Sequence, residues 1–287
     1  MAQEPIKSLL PKFINSLTEK RRSPATILAY RSDLTQLVEF LVRREKVLPE
    51  QVRPDDLDSF RDTLLADKYT PKSVSRKLNA VKTFFRWMIS ENIITSDVSA
   101  SVAHPKIESA LPKFLSPLEY RALRDVVRND IRIAAITELI LQSGLRISEV
   151  ASLKTENVGG DSLKIEAYAT QPERTIPLNK PASDVLNAYL TIRPKADSPY
   201  VFISKNGKPL AVRNIRASIA RYIQKAELPN YSVNDLRTTF IIENLKAGVD
   251  IVLLSQVSGH KRLSTTERYL ELAQITDPGK KQVLIEL

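Results

Sequence analysis

Apolar residues recur at helical spacing along most of the chain. Ile27, Tyr30, Leu34, Leu37, Val38 and Leu41 share one face behind Ser23-Pro24, where Ser23 suits an N-cap and Pro24 the first helical position. Pro54-Asp55 introduces the next predicted helix, over 57–65. The segment 71–90 says more. At about 100° per residue, Val74, Leu78, Val81, Phe85 and Met88 fall in a sector about 80° wide. Lys72, Arg76, Asn79 and Arg86 fall opposite, with Lys82 at the margin. That sector carries no acid, so nothing on the same helix relieves its repulsion, whereas a surface laid against phosphates would.

The periodicity fails over 99–113, SASVAHPKIESALPK, which places a domain boundary there. The expected division is a helical domain at 1–104, a linker at 105–112 and a second domain at 113–287. Ser116-Pro117-Leu118-Glu119 opens the second domain with a capping box. A helix over 132–143 ends at Gly144, and Gly159-Gly160-Asp161 turns the chain into two short strands, 163–167 and 174–178. Helices follow over 182–190, 212–225 and 233–246, the last with Ser232 and Asp235 as its cap pair. Asp250 caps a short helix ending before Gly259. Ser264-Thr265-Thr266-Glu267 starts another, which places Tyr269 within its first two turns. The fold class is mainly α with a small antiparallel sheet. The apolar tail, KKQVLIEL at 280–287, needs a docking surface.

Composition narrows the function. No apolar run approaches the roughly 20 residues that cross a bilayer, and MAQEPIKSLL lacks the basic and apolar regions of a signal peptide. The expectation is a cytoplasmic protein with no membrane partner. With no cysteine and two histidines, a metal site is not expected. A formal charge of +10 favours a polyanion, because each neutralised phosphate releases counterions.

The candidate chemistry lies in 232–272, where Arg237, Gly259-His260, Thr265-Thr266 and Tyr269 follow one another. Guanidinium, imidazole and phenol held by helical segments suit a phosphodiester. Each residue also has a plainer account. Tyr269 could be core, His260 a helix-end contact, and Arg237 the partner of Asp235 or Glu243. Arg146, in Gly144-Leu145-Arg146-Ile147-Ser148-Glu149-Val150, could cap carbonyls or pair with Glu149. His104, ahead of a proline, is given no chemistry.

Taken together, SPATILAYRSDL, SVSRKLNAVKTFFRWM, LPKFLSPLEY, GLRISEV, ERTIPL, NDLRTTF and SGHKRLSTTERY resemble the tyrosine recombinases of the integrase class, nearest in layout to the Xer enzymes. The resemblance spans nearly the whole chain. It implies an N-terminal helical core-binding (SAM-like) domain and a C-terminal tyrosine-recombinase catalytic domain. By position, Arg146 and Arg237 match the two family arginines, His260 the His-or-Trp position and Tyr269 the nucleophile. The implied reaction is attack of the Tyr269 hydroxyl on a scissile phosphate, giving a 3′-phosphotyrosine and a free 5′-hydroxyl. Reversal on a partner duplex, twice over, passes through a four-way junction. No cofactor is required. The implied partner is a double-stranded DNA site gripped by both domains, the first through Lys72, Arg76, Asn79, Lys82 and Arg86. Four copies would act on two sites, with the tail exchanged between neighbours.

Two positions depart from the family. Where the hairpin lysine acts as acid to the leaving 5′-oxygen, alignment on ERTIPL places Ala169. Three residues before the second arginine, the family histidine is Asn234, which can hydrogen-bond a phosphate but cannot carry a proton. Three accounts of Ala169 stay open. Another lysine such as Lys164 substitutes, the alanine is a deliberate replacement, or cleavage has been lost. A non-enzymatic DNA-binding protein on a recombinase scaffold and a type IB topoisomerase-like enzyme are the rival readings.

Overall fold

The polypeptide, described here as a computed structural model over residues 4–108, 111–167 and 171–273, divides by its internal contacts into Met1–Ser109 and Ala110–Leu287. The first unit contains α1 (Ile6–Glu19), α2 (Pro24–Arg43), α3 (Pro54–Ala66) and α4 (Pro71–Ser90). Ser23 caps α2 by accepting the Thr26 N–H at 3.2 Å, as its sequence position implies. Helix α4 buries Val74, Leu78, Val81, Phe85 and Met88, the sector that the period marks out. Phe84 and Trp87 join them and pack on Phe13 of α1, with ring centroids 5.2 and 5.5 Å apart. Helix α1 is not among the elements expected from the sequence. Pro11 inside it offers no N–H to the preceding turn, but burial of Ile6, Leu9, Phe13, Ile14 and Leu17 outweighs that loss.

The second unit runs α5 (Pro117–Val127), α6 (Ile131–Ser143), α7 (Ile147–Ser152), β1 (Ser162–Ile165), β2 (Arg174–Pro177), α8 (Lys180–Ile192), α9 (Val212–Lys225), α10 (Val233–Lys246), α11 (Ile251–Ser258), α12 (Ser264–Glu267) and α13 (Leu270–Ala273). Its centre is α10, which packs against α6, α9, α11 and α13 and buries Leu236, Phe240, Ile241, Ile242 and Leu245. Gly144 ends α6 at φ +62°, where a Cβ would stand 2.4 Å from the Phe240 ring. Strands β1 and β2 pair antiparallel, Leu163 opposite Ile176 and Ile165 opposite Arg174. Strand alternation therefore turns Leu163, Ile165, Ile176 and Arg174 inward and leaves Lys164 and Thr175 exposed.

One expected element is broken. Rather than continuing from Ser264 through Tyr269, the helix stops at Glu267 and restarts at Leu270. The Tyr269 N–H closes back on the Thr266 carbonyl at 3.0 Å, three residues behind it, so Tyr269 occupies a tight turn between two short helices. Ala169 and the tail at 280–287 lie outside the described residues. No helix among the described residues is long and apolar enough to cross a membrane.

Candidate active site

The site is assembled on the C-terminal end of α11. Three successive carbonyls there each accept from a different arginine. Arg174 Nε donates to Val257 O at 2.8 Å, Arg237 Nη2 to Ser258 O at 2.6 Å, and Arg146 Nη2 to Gly259 O at 2.7 Å. A helix C-terminus carries partial negative charge, so it favours cations without neutralising them as a carboxylate would. Gly259 makes the convergence possible. At φ +64° it suits the left-handed turn, and a Cβ there would come within 2.8 Å of the Arg174 guanidinium carbon and 3.1 Å of Arg146 Nη1.

Glu149, on the first turn of α7, serves two of the arginines. Its Oε1 accepts from Arg146 Nη1 at 3.0 Å and Arg174 Nη1 at 2.9 Å. Its Oε2 accepts from the Arg146 backbone N–H and from Arg174 Nη2, both at 2.8 Å. Burial by itself would raise the Glu149 carboxyl, but the Arg174 hydrogen bonds, the Arg146 N–H and both guanidinium charges outweigh it and hold the group below the usual carboxylate range. The plain account of Arg146, a carbonyl cap paired with Glu149, thus describes its contacts correctly. The plainer account of Arg237 does not describe its contacts. It pairs with neither Asp235 nor Glu243; its Nη1 donates to the Gly144 carbonyl and Nη2 to Ser258. Burial, and next the charge of Arg146, push its pKa down to about 9, which still leaves it charged at neutral pH.

Arg146, Asn234, Arg237 and Tyr269 border one cavity of about 310 Å³, together with Leu145, Ser148 and Thr238. Asn234 stands exposed on the first turn of α10. His260 follows the Gly259 turn, and its Nδ1 shares a hydrogen with the buried Thr266 Oγ1 at 2.8 Å. The His260 and Tyr269 rings lie nearly parallel, 11° between planes and 6.4 Å between centroids. Burial, then Arg237, Arg146 and Arg174 in turn, drive the His260 pKa down to about 4. At neutral pH its imidazole is uncharged, with one nitrogen donating and the other accepting. Three guanidiniums against one carboxylate leave a cationic cleft with a phenol at its edge, a chemistry suited to an oxyanion such as a phosphodiester. Among the described residues there is no cluster of His, Asp and Glu that could hold a metal.

On the first unit, Lys72, Arg76, Asn79 and Arg86 are exposed along one face of α4, with Lys82 partly covered. The unrelieved repulsion read from that helix is corrected by α2. Asp33, almost fully buried, pairs with Arg76 and holds Lys77 at 3.0 Å. Lys82 Nζ donates to the Ala100 carbonyl at 3.4 Å, and Arg86 Nε to the Lys82 carbonyl at 3.1 Å.

The sequence suggests Glu149 only as a partner of Arg146 and suggests no role for Arg174, although the two stand inside the motifs GLRISEV and ERTIPL. Strand alternation was the available signal for Arg174. An arginine two places before a buried isoleucine shares its inward face. Lys164, the residue considered as a substitute acid, is on the outer face of β1 and pairs with Glu173 at 3.3 Å. It also lines a cavity of about 380 Å³ that Arg146 and Glu149 border.

The phage integrase family model matches residues 113–275, and the model of the phage integrase N-terminal SAM-like domain matches 10–92. A curated relative, the tyrosine recombinase XerC of Thermodesulfovibrio yellowstonii, is 30% identical over 91% of this chain and 90% of its own. Among solved structures, the Tn1549 transposon integrase in complex with a circular intermediate DNA has a TM-score of 0.76 at 18% identity, covering 93% of this chain and 94% of that one. A lambda integrase tetramer bound to a Holliday junction gives 0.72 at 17% identity, over 90% of this chain and 78% of that one. The structural likeness is one of fold.

Proposed function

This chain belongs to the phage integrase family, and from that premise we propose that it is a tyrosine recombinase that breaks and rejoins double-stranded DNA at a specific site. The Tyr269 oxygen bonds to the scissile phosphorus as the bond from phosphorus to the 5′-oxygen breaks. The product is a 3′-phosphotyrosine and a 5′-hydroxyl, and a 5′-hydroxyl from a second duplex reverses the step. Because one phosphodiester replaces another, the exchange needs no external energy source. Arg146 and Arg237 bind the non-bridging oxygens, where charge builds up in the transition state. Neutral His260 donates a hydrogen bond to the same phosphate, and Asn234 supplies a further uncharged donor.

What supports this reading is the cavity shared by Arg146, Arg237, Asn234 and Tyr269. Residues 1–104 bind the duplex through the exposed face of Lys72, Arg76, Asn79, Lys82 and Arg86, residues 105–112 are the linker, and 113–287 carry catalysis. Four copies assemble on two sites in the cytoplasm. The acid at the 5′-oxygen is Lys164 or solvent, since Ala169 stands at the family lysine position.

The test is a nicked suicide substrate, which traps a covalent protein–DNA adduct. The parent should form the adduct and Tyr269→Phe should not, while still retarding the DNA. Relaxation of supercoils without strand exchange would point instead to a topoisomerase, and absence of any adduct to a DNA-binding protein without the chemistry.

A further inference from the structure

We propose that Arg174 is a positioning residue for cleavage: it ties Glu149 to the last turn of α11 and thereby sets the stance of Arg146 at the cavity and of His260 beside the Tyr269 ring. The inference rests on the reading that Tyr269 attacks a phosphodiester bound by Arg146 and Arg237. Arg174 does not border the cavity with Tyr269. Its side chain is only 9% exposed, and each of its three nitrogens donates to Glu149 or to the Val257 carbonyl. Whatever it contributes to cleavage passes through those partners.

Two consequences follow from that geometry. The first is electrostatic. Arg174 and Arg146 divide one carboxylate between them, so Glu149 cannot fully offset Arg146. Without Arg174, the cluster of three guanidiniums and one carboxylate falls from a net +2 to +1, and Glu149 is left to pair with Arg146 alone. The second is mechanical. The carbonyls of Val257, Ser258 and Gly259 are held by Arg174, Arg237 and Arg146 in turn, and His260 is the next residue. Releasing Val257 frees the first of the three arginine ties on the turn from which His260 projects. Arg174 fits this place because it lies on the inward face of β2 and its guanidinium crosses the space that Gly259 leaves by lacking a Cβ.

A buried arginine–glutamate pair contributes little net stability relative to a well-packed apolar pair, although removing one partner alone is costly. The experiment therefore separates folding from cleavage. Parent, Arg174→Ala, Arg174→Lys, Glu149→Gln and the Arg174→Ala/Glu149→Gln double variant are compared on the full chain. Three quantities are read: the single-turnover rate of adduct formation at saturating nicked DNA, the DNA dissociation constant, and the thermal midpoint. In Arg174→Ala the cleavage rate should fall about 10–100-fold, the usual size of such supporting contacts, with DNA affinity changed by less than about threefold. Arg174→Lys should recover only part of the rate, since an ammonium restores charge but not the fork that spans Glu149 and Val257. The double variant should lose less than the product of the single losses.

Adduct formation at the parental rate in folded Arg174→Ala overturns the inference while leaving the recombinase reading intact. If Arg174→Ala does not fold, Arg174→Lys decides, and a parental rate there overturns it too. A rate loss that tracks the folded fraction across temperature marks a purely structural role and counts equally against it. No adduct from the parent removes the recombinase reading and this inference with it.

Discussion

Gly144 and Gly259, two of the left-handed glycines of the catalytic unit, should respond differently to the same substitution. Alanine at φ near +60° costs about 1–2 kcal/mol at either position, partly offset by a stiffer unfolded chain. The difference lies in what the new methyl meets. At Gly144 it stands 2.4 and 2.7 Å from two carbons of the fully buried Phe240 ring, which has no room to retreat. Overpacking of that kind adds about 1–3 kcal/mol, so Gly144→Ala should lose about 2–5 kcal/mol in all. At Gly259 the methyl meets the tips of Arg174 and Arg146, at 2.8 and 3.1 Å, and long side chains can swing away. Gly259→Ala should therefore stay near 1–2 kcal/mol, a shift of only about 2–4 °C per kcal/mol in thermal midpoint. The two guanidiniums, however, would leave their carbonyls and, under the proposed function, misplace the charge that meets the phosphate. Loss of one such donor costs about 10²–10³-fold in rate. Thermal unfolding and single-turnover cleavage of a nicked substrate would be measured on both variants. Gly259→Ala cleaving within about twofold of the parent, against that expected loss, would refute the idea that the bare glycine exists to seat the two arginines.

Other outcomes follow from the same structure. Asp33→Ala should destabilise the first unit by about 3–5 kcal/mol by leaving the Lys77 ammonium, whose side chain is 7% exposed, with the neutral Gln36 amide in place of its counter-charge, and a urea midpoint close to the parent's would contradict this. The pH dependence of stability should carry the mark of His260. Its folded pKa, about 4, lies below the unfolded value near 6.5, so stability is lost as pH falls between them. His260→Asn should show a shallower loss over that window, and an unchanged slope in denaturant titrations would remove the assignment. Combined Lys72→Ala and Arg86→Ala should reduce the slope of log affinity against log salt by about 1–2 without changing sequence preference. Ala169→Lys should raise the cleavage rate by up to about 10²–10⁴-fold, and no rise would contradict the alignment of that position with the family acid.

Caps and periodic faces were legible in the sequence because their causes are local. Ser23, Ser116, Asp250 and the buried sector of α4 all act within a few residues of themselves. Helix α1 is not legible locally because Pro11 argues against it, and the apolar contacts that override it come from α2 and α4. The pairing of Arg76 is hidden for a related reason, since its carboxylate partner lies 43 residues away on another helix. Arg174 needed three facts at once: its strand face, Glu149 25 residues back, and Val257 83 residues ahead. The break at Tyr269 depends on the hydrogen bond from the Tyr269 N–H to Thr266 and on the engagement of Thr266 by His260, neither of which a helical repeat encodes.

Like charges crowded together normally drift apart unless something anchors them, and the usual anchors, carboxylates, cancel what they hold. Peptide oxygens at a helix end avoid that conflict, because they grip a guanidinium while leaving its charge uncancelled. An arriving anion then finds its counter-charges already spaced, and little reorganisation remains to be done at the moment of reaction.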